Sequence, residues 1–259
     1  MFKITYRTVA SLLLVIGSAC ARPGQQISPP PSQIGPGAQA LLNQAIQALG
    51  GAAFLDFKTM SSTGRAFSIA DGILQGFVHY TSAAEFPARR RLFYGLKKKS
   101  KAVTLINNGS QGWEVDRYGL IEQPPKEIQA WQLANRYSLE NLLRVRIHER
   151  GMLIQKGKQD FVDNLPVQIV GMVDARQVEI QLYLSSADLP VRIAYRMLDP
   201  ETHQWNEYAD VYSGYQSIDG IQTAMHLTRY LNGDRVAETF RSQVRYNQTY
   251  PAGYFQPGR

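Results

Sequence analysis

The sequence predicts a mainly β protein: a single curled antiparallel sheet of about ten or eleven strands, forming an unclosed β-barrel, with an N-terminal helix and a helical lid insertion. Three observations predict it. Apolar residues recur at every second position over long stretches. Turn-forming pairs interrupt those stretches at short, regular intervals, and two segments carry the 3.6-residue period of a helix instead.

Composition narrows the class before any element is placed. The 259 residues are 44% hydrophobic and 19% charged, with one cysteine and a formal net charge of +7. A chain this apolar can bury enough surface to fold. Its mean hydropathy of −0.27 and the absence of a long apolar run exclude a polytopic helical membrane protein. A single cysteine excludes a disulfide framework and a thiolate-only metal site.

The N-terminus reads as an address. Lys3 and Arg7 precede an apolar stretch, Val9 to Ile16, and the small residues Gly17, Ser18 and Ala19 lead to Cys20. This is the pattern of a secretory signal peptide. Two cleavages fit it. Ala19-Cys20-Ala21 suits ordinary signal peptidase, removing residues 1–21, whereas Gly17-Ser18-Ala19-Cys20 suits a lipobox, removing residues 1–19 and leaving Cys20 as a lipid anchor. Residues 20–37 are rich in proline and glycine and read as a flexible tether. Residues 38–259 read as one domain. The expectation is an exported, periplasmic domain anchored to the outer membrane.

Within the domain, Ala38, Leu41, Leu42, Ala45, Ile46 and Leu49 fall on one helical face, and Gly50-Gly51 stops the helix. The period then becomes two. Val178, Ile180, Leu182 and Leu184 share a face, as do Val191, Ile193, Tyr195 and Met197, and likewise Val236, Phe240, Val244 and Tyr246. Turns are marked by Asp71-Gly72, Asn108-Gly109, Tyr118-Gly119, Asp163-Asn164, Asp188-Leu189-Pro190, Asp199-Pro200, Asp219-Gly220 and Asn232-Gly233. Pro124 to Val145 interrupts the meander with a helical pattern, opened by Pro124-Pro125 at first-turn positions.

Chemistry is sparse. His79, His148, His203 and His226 have no second histidine or cysteine at ligand spacing, so no metal or cofactor is expected. Glu114 and Asp116 share a strand face beside a turn, where solvated charges are routine, and no nucleophile or phosphate-loop motif occurs. No catalytic residue is expected. Lys97, Lys98, Lys99 and Lys101 read as a solvated hairpin turn or as a contact to an anionic membrane surface, and an exported chain makes nucleic acid an unsuitable partner. Two helical segments must cover a long apolar sheet face. Either they leave an interior open to an apolar guest, or side chains fill it and the domain is a protein-interaction or envelope-stress sensor module.

The order of pieces resembles the periplasmic lipoprotein carrier and receptor (LolA/LolB-like) superfamily. The resemblance runs through the helix Ala38–Leu49, the proline-and-basic strand with Pro87, Arg89 and Arg91, and the Asn108-Gly109 turn before Gly112-Trp113-Glu114. It continues through the insertion Pro124 to Val145 and the tail of Tyr246, Phe255 and Pro257. The family's carriers place a lid-latching arginine directly before the proline; this chain has Phe86 there. The resemblance implies a non-enzymatic protein gripping a lipid, or the acyl chains of a lipoprotein. The expected acyl-binding residues are Phe77, Phe93, Leu105, Trp113, Val178, Ile180, Leu182, Ile193, Tyr195, Met225 and Leu227, with Trp131, Leu139 and Leu142 on the lid.

Overall fold

A computed structural model describes residues 29–95, 102–199 and 202–258. The leader, Cys20 and the lysines Lys97, Lys98, Lys99 and Lys101 lie outside the described residues. Fourteen strands form one sheet, more than the ten or eleven expected. They are β1 (Gln33–Ile34), β2 (Thr59–Ala70), β3 (Ile73–Glu85), β4 (Arg89–Gly95), β5 (Val103–Asn108), β6 (Gln111–Asp116) and β7 (Gly119–Glu122), then β8 (Leu153–Val162), β9 (Leu165–Val173), β10 (Glu179–Leu184), β11 (Pro190–Leu198), β12 (Trp205–Ile218), β13 (Ile221–Leu231) and β14 (Asp234–Tyr246). The count exceeds the expectation at strands without alternation. β7 is exposed on both faces, and β1 has two residues inside the segment read as a tether.

The spatial order is β1-β8-β9-β10-β11-β12-β13-β14-β2-β3-β4-β5-β6-β7, antiparallel throughout except β1 beside β8. β1 and β7 are the two edges, so the sheet does not close. Hairpin turns at Asp71-Gly72, Asp163-Asn164, Asp219-Gly220 and Asn232-Gly233 carry positive φ at both central residues, the backbone that matches strand twist. The sheet also curls. Arg90 on β4 and Arg229 on β13 are four strand spacings apart, roughly 19 Å in a flat sheet. Both nevertheless line one cavity, and their charges act on each other.

The helices α1 (Pro36–Leu49), α2 (Ala52–Asp56), α3 (Pro125–Arg136) and α4 (Leu139–Arg144) complete the fold. Leu41, Leu42 and Leu49 of α1 and Leu142 and Leu143 of α4 pack with Ile154, Val170, Ile180, Leu182 and Ile193 in one continuous core. The sheet face carrying this core is the inner face. Gly50 ends α1 at φ 123°, and a Cβ there would stand 2.4 Å from the Gly220 carbonyl, so the close approach of helix to turn needs glycine. The expected helical insertion consists of two helices: α3 ends at Arg136 with Tyr137 as its C-cap, and the Ser138 hydroxyl caps α4 by accepting from the Asn141 amide.

Two sequence expectations change here. The end of the expected tether is docked: the Gln33 amide donates to the Met152 carbonyl at 2.8 Å, and Gly35 to Ile154 at 2.9 Å. Extended proline-rich chain is well suited to pairing at a sheet edge. Second, Phe240 does not share a face with Val244 and Tyr246. A bulge between Arg241 and Gln243 inserts one residue, so Phe240 lies opposite Arg65 while Val244 and Tyr246 turn into the core.

Candidate functional site

The inner face is treated differently in its two halves. Under α1 and α4 it is solid. Opposite β2–β4 it is hollow, because β2 at its centre presents small side chains inward. Strand register puts Ser62, Gly64, Ala66 and Ser68 of β2 on the same face as Ser82 and Val78 of β3. Gly64 also admits a close strand: a Cβ there would stand 2.0 Å from the Phe240 carbonyl oxygen. The result is a cavity of about 660 Å³ walled by β13, β14, β2, β3 and β4. Its apolar wall is Met60, Ala66, Val78, Leu92 and Leu227, and its polar side is Tyr80, Tyr94, Arg90, Arg229 and Arg241. Gln75 and Gly76 at one end are exposed whereas Tyr80 and Leu92 at the other are buried, so the mouth faces the β2–β3 turn.

The charges in this wall are fixed by distinct partners. Arg229 is held by two oxygens of Asp210, at 2.8 and 3.0 Å. Burial opposes its charge, but Asp210 outweighs burial and raises its pKa. Arg241 donates to the Ala224 carbonyl at 2.9 Å. Arg90 donates to Asn107 Oδ1 at 3.1 Å and lies 5.9 Å from the Trp131 ring centre on α3. Burial lowers the Arg90 pKa to about 10; Tyr94 opposes this and Arg229 adds to it. Arg90 therefore stays charged at neutral pH. Asn107 is fixed in turn, donating to Gln123 Oε1 at 2.9 Å.

A second cavity of about 600 Å³ lies between α3 and the strands β11 and β12, lined by Trp131, Leu133, Met197 and Tyr208 with Arg136, Arg146 and Arg176. Among the described residues no group of three or more His, Cys, Asp or Glu could hold a metal ion, and no helix is long and apolar enough to cross a membrane.

Only some of the sequence-predicted residues meet at the first cavity. Leu227 lines it. Phe77 reaches its mouth, but the register pairs Phe77 with Phe67 on the outer face, where the rings stack at 5.5 Å. Phe93 and Trp113 belong to the outer face by the same register, since Phe93 lies opposite Thr81 and Trp113 opposite Ile106, itself paired to Arg91. Leu105 lies on the inner face opposite Leu92, outside the cavity wall. Val178, Ile180, Leu182, Ile193, Tyr195, Leu139 and Leu142 are packed into the protein's own core, with Met225 against its margin. Their alternation is real, but α1 and α4 already occupy the face they form. Trp131 is 7% exposed and faces Arg90 from the lid side.

At Phe86, where the family's carriers have their latch, Arg144 of α4 stacks 5.1 Å from the ring and 3.8 Å from that of Phe57. Sequence reading missed Met60, Ala66, Val78, Tyr80, Leu92 and Arg90. The available signal was the alternating run of serine, glycine and alanine in β2, which leaves volume where a core strand would fill it.

No family model matches the chain, and no curated protein matches it in sequence. Solved structures do share the fold. A DUF1329 family protein from Desulfovibrio piger superposes with a TM-score of 0.59 at 10% identity, covering 85% of this chain and 97% of that one. A putative outer membrane lipoprotein-sorting protein domain from Vibrio parahaemolyticus gives 0.55 at 9% identity, with the same coverage. A LolA superfamily protein from Nitrosomonas europaea gives 0.55 at 12%, again covering 85% and 97%. The unclosed sheet with its N-terminal helix is thus a LolA-like fold.

Proposed function

From a LolA-like fold with an unfilled inner hollow, we propose that this is a non-enzymatic cell-envelope protein that holds a lipid, or the acyl chain of a lipidated ligand, in the cavity between β13 and β4. One observation carries the reading. The inner face of the sheet is filled by helices along β8–β12 and left open along β2–β4, where the wall is Met60, Ala66, Val78, Leu92 and Leu227. Concave, mostly apolar and sparingly polar sites are the usual form of small-ligand pockets. Burying hydrocarbon there contributes about 0.8 kcal/mol for each methylene removed from water.

The reading includes anchorage through Cys20. Pro29 abuts Gly151, next to Ala175, at the end of the sheet that also holds the β2–β3 and β13–β14 turns and the cavity mouth. Eight residues separate Cys20 from Pro29, a reach of at most about 30 Å. An anchored domain would therefore keep its mouth toward the bilayer. The same rim exposes Ile73, Leu74, Tyr118 and Trp205, residues suited to a lipid interface, and Lys97, Lys98, Lys99 and Lys101 would add attraction to anionic headgroups.

Native mass spectrometry of the protein purified from cell envelopes, with titration of a fluorescent fatty-acid probe, tests the proposal. A co-purified lipid and a saturable, displaceable probe are expected. A protein free of lipid that binds no probe would defeat it.

A further inference from the structure

The three arginines of the cavity are not equivalent. Arg229 is neutralised by Asp210. Arg241, without an ion-pair partner among the described residues, donates to the Ala224 carbonyl and leaves no buried nitrogen unsatisfied. Arg90 has no ion-pair partner among the described residues; its hydrogen bond goes to a neutral amide, Asn107. Its Nε is buried with no acceptor, and the buried hydroxyl of Tyr80, a residue 7% exposed in the same wall, has none either. Arg90 as a whole is half-buried, but a guanidinium nitrogen held from water without an acceptor is costly, and an anion in the cavity would supply what it lacks.

Its position gives the anion a direction. Arg90 lies opposite Ala84 and Asn107, and Ala84 lies opposite Met60, which puts it at the closed end of the hollow. The apolar wall runs from there past Leu92, Val78 and Ala66 toward the mouth. We propose that the cavity takes a single-chain amphiphile headgroup first, with a small anionic group, a carboxylate or a terminal phosphate, received by the Arg90 guanidinium. The hydrocarbon then extends along Leu92, Val78 and Leu227 to the mouth. This rests on the lipid-holding reading above and narrows its ligand.

The experiment compares palmitate, hexadecyl phosphate, hexadecanol and methyl palmitate as competitors of one fluorescent probe on the full chain. Palmitate or hexadecyl phosphate should bind at least about tenfold tighter than hexadecanol, the scale of one charge-assisted hydrogen bond. Whichever of the two acids wins identifies the headgroup. Arg90→Gln should remove that preference by weakening acid binding about tenfold relative to hexadecanol, with an unchanged thermal melt showing that the fold is intact; Arg90→Lys should restore part of it. If Arg90→Gln does not fold, Asn107→Asp supplies an internal carboxylate at the atom Arg90 now contacts, and it should abolish the preference in the same way. Equal affinity for acid and alcohol in the unaltered protein would overturn the proposal and leave the lipid reading standing. A preference that survives both Arg90→Gln and Asn107→Asp would overturn it as well. Failure of all four competitors would remove the lipid reading itself.

Discussion

Filling the hollow from within is the sharpest test of what it is for. Ala66 sits at the centre of the wall, in register between Thr239 and Val78, and its side chain is half-buried. A cavity of about 660 Å³ holds about twenty waters at roughly 30 Å³ each, so an indole at this position has room without displacing the core. A tryptophan side chain covers about 150–250 Å². At about 25 cal/mol per Å², the wall denied to a ligand is worth about 4–6 kcal/mol. The indole offers a replacement apolar surface, and a bound chain can shift toward the mouth. Taking about half as lost gives about 2–3 kcal/mol, or about 30- to 150-fold weaker probe binding for Ala66→Trp. The assay is fluorescent fatty-acid displacement, run beside a thermal melt and acrylamide quenching of the new indole. The melt should be unchanged or raised. Unchanged probe affinity, with the indole shielded from quencher, would refute the assignment of this hollow as the binding site.

Ile180→Asp should behave in the opposite manner: Ile180 is 1% exposed in the helix-covered core, so a carboxylate there costs more than about 4 kcal/mol and the variant loses its cooperative melt rather than only its ligand. Asp174→Ala removes a buried carboxylate that accepts from the Tyr137 hydroxyl at 2.8 Å, the Arg176 amide at 2.9 Å and Arg136 Nη2 at 3.2 Å. Arg136 keeps its ion pair with Glu149 at 2.6 Å, so the loss falls on the buried Tyr137 hydroxyl and the Val178 amide, which lose their acceptor; the cost should be about 2–4 kcal/mol, lowering the melting temperature by about 5–10 °C, read by circular dichroism. Cys20→Ser should move the protein from the membrane pellet to the soluble periplasmic fraction; continued membrane association would overturn the lipid anchor.

The fold was legible because its two periods are local properties. Alternation in residues 178–184 and 191–197 and the paired turn residues at 71–72, 163–164, 219–220 and 232–233 describe antiparallel hairpins without reference to the rest of the chain. The site was less legible, because a period of two says which residues share a face and not what lies across from it. Ile180 and Leu182 look like a ligand surface in the strand alone; α1 is what occupies it. Phe93 lies on the face away from the hollow, and Phe77 meets it only at the mouth, because faces can be linked between strands only through register, and register is not written in either strand. The bulge at Arg241–Gln243 hid the same way: one inserted residue inverts Phe240 relative to Val244 with no break in the apolar pattern. The hollow itself is an absence of bulk, and a search for large apolar residues passes over Ser62, Gly64 and Ala66.

The pairing of β14 with β2 has a bearing on how the protein is made. Those strands join residues about 170 to 185 positions apart, Ser68 with Ala237 and Met60 with Tyr246, in the middle of the sheet. Loop closure over such a separation is slow relative to hairpin zipping. The N-terminal hairpins can assemble as soon as they emerge, but Leu227, Arg229 and Arg241 arrive with the last strands. A chain stopped short of β13 has a half-sheet and no enclosed chamber. The enclosed chamber is therefore a property of the finished chain alone, and an interrupted translation product presents unpaired strand edges, the form most open to association and cleavage.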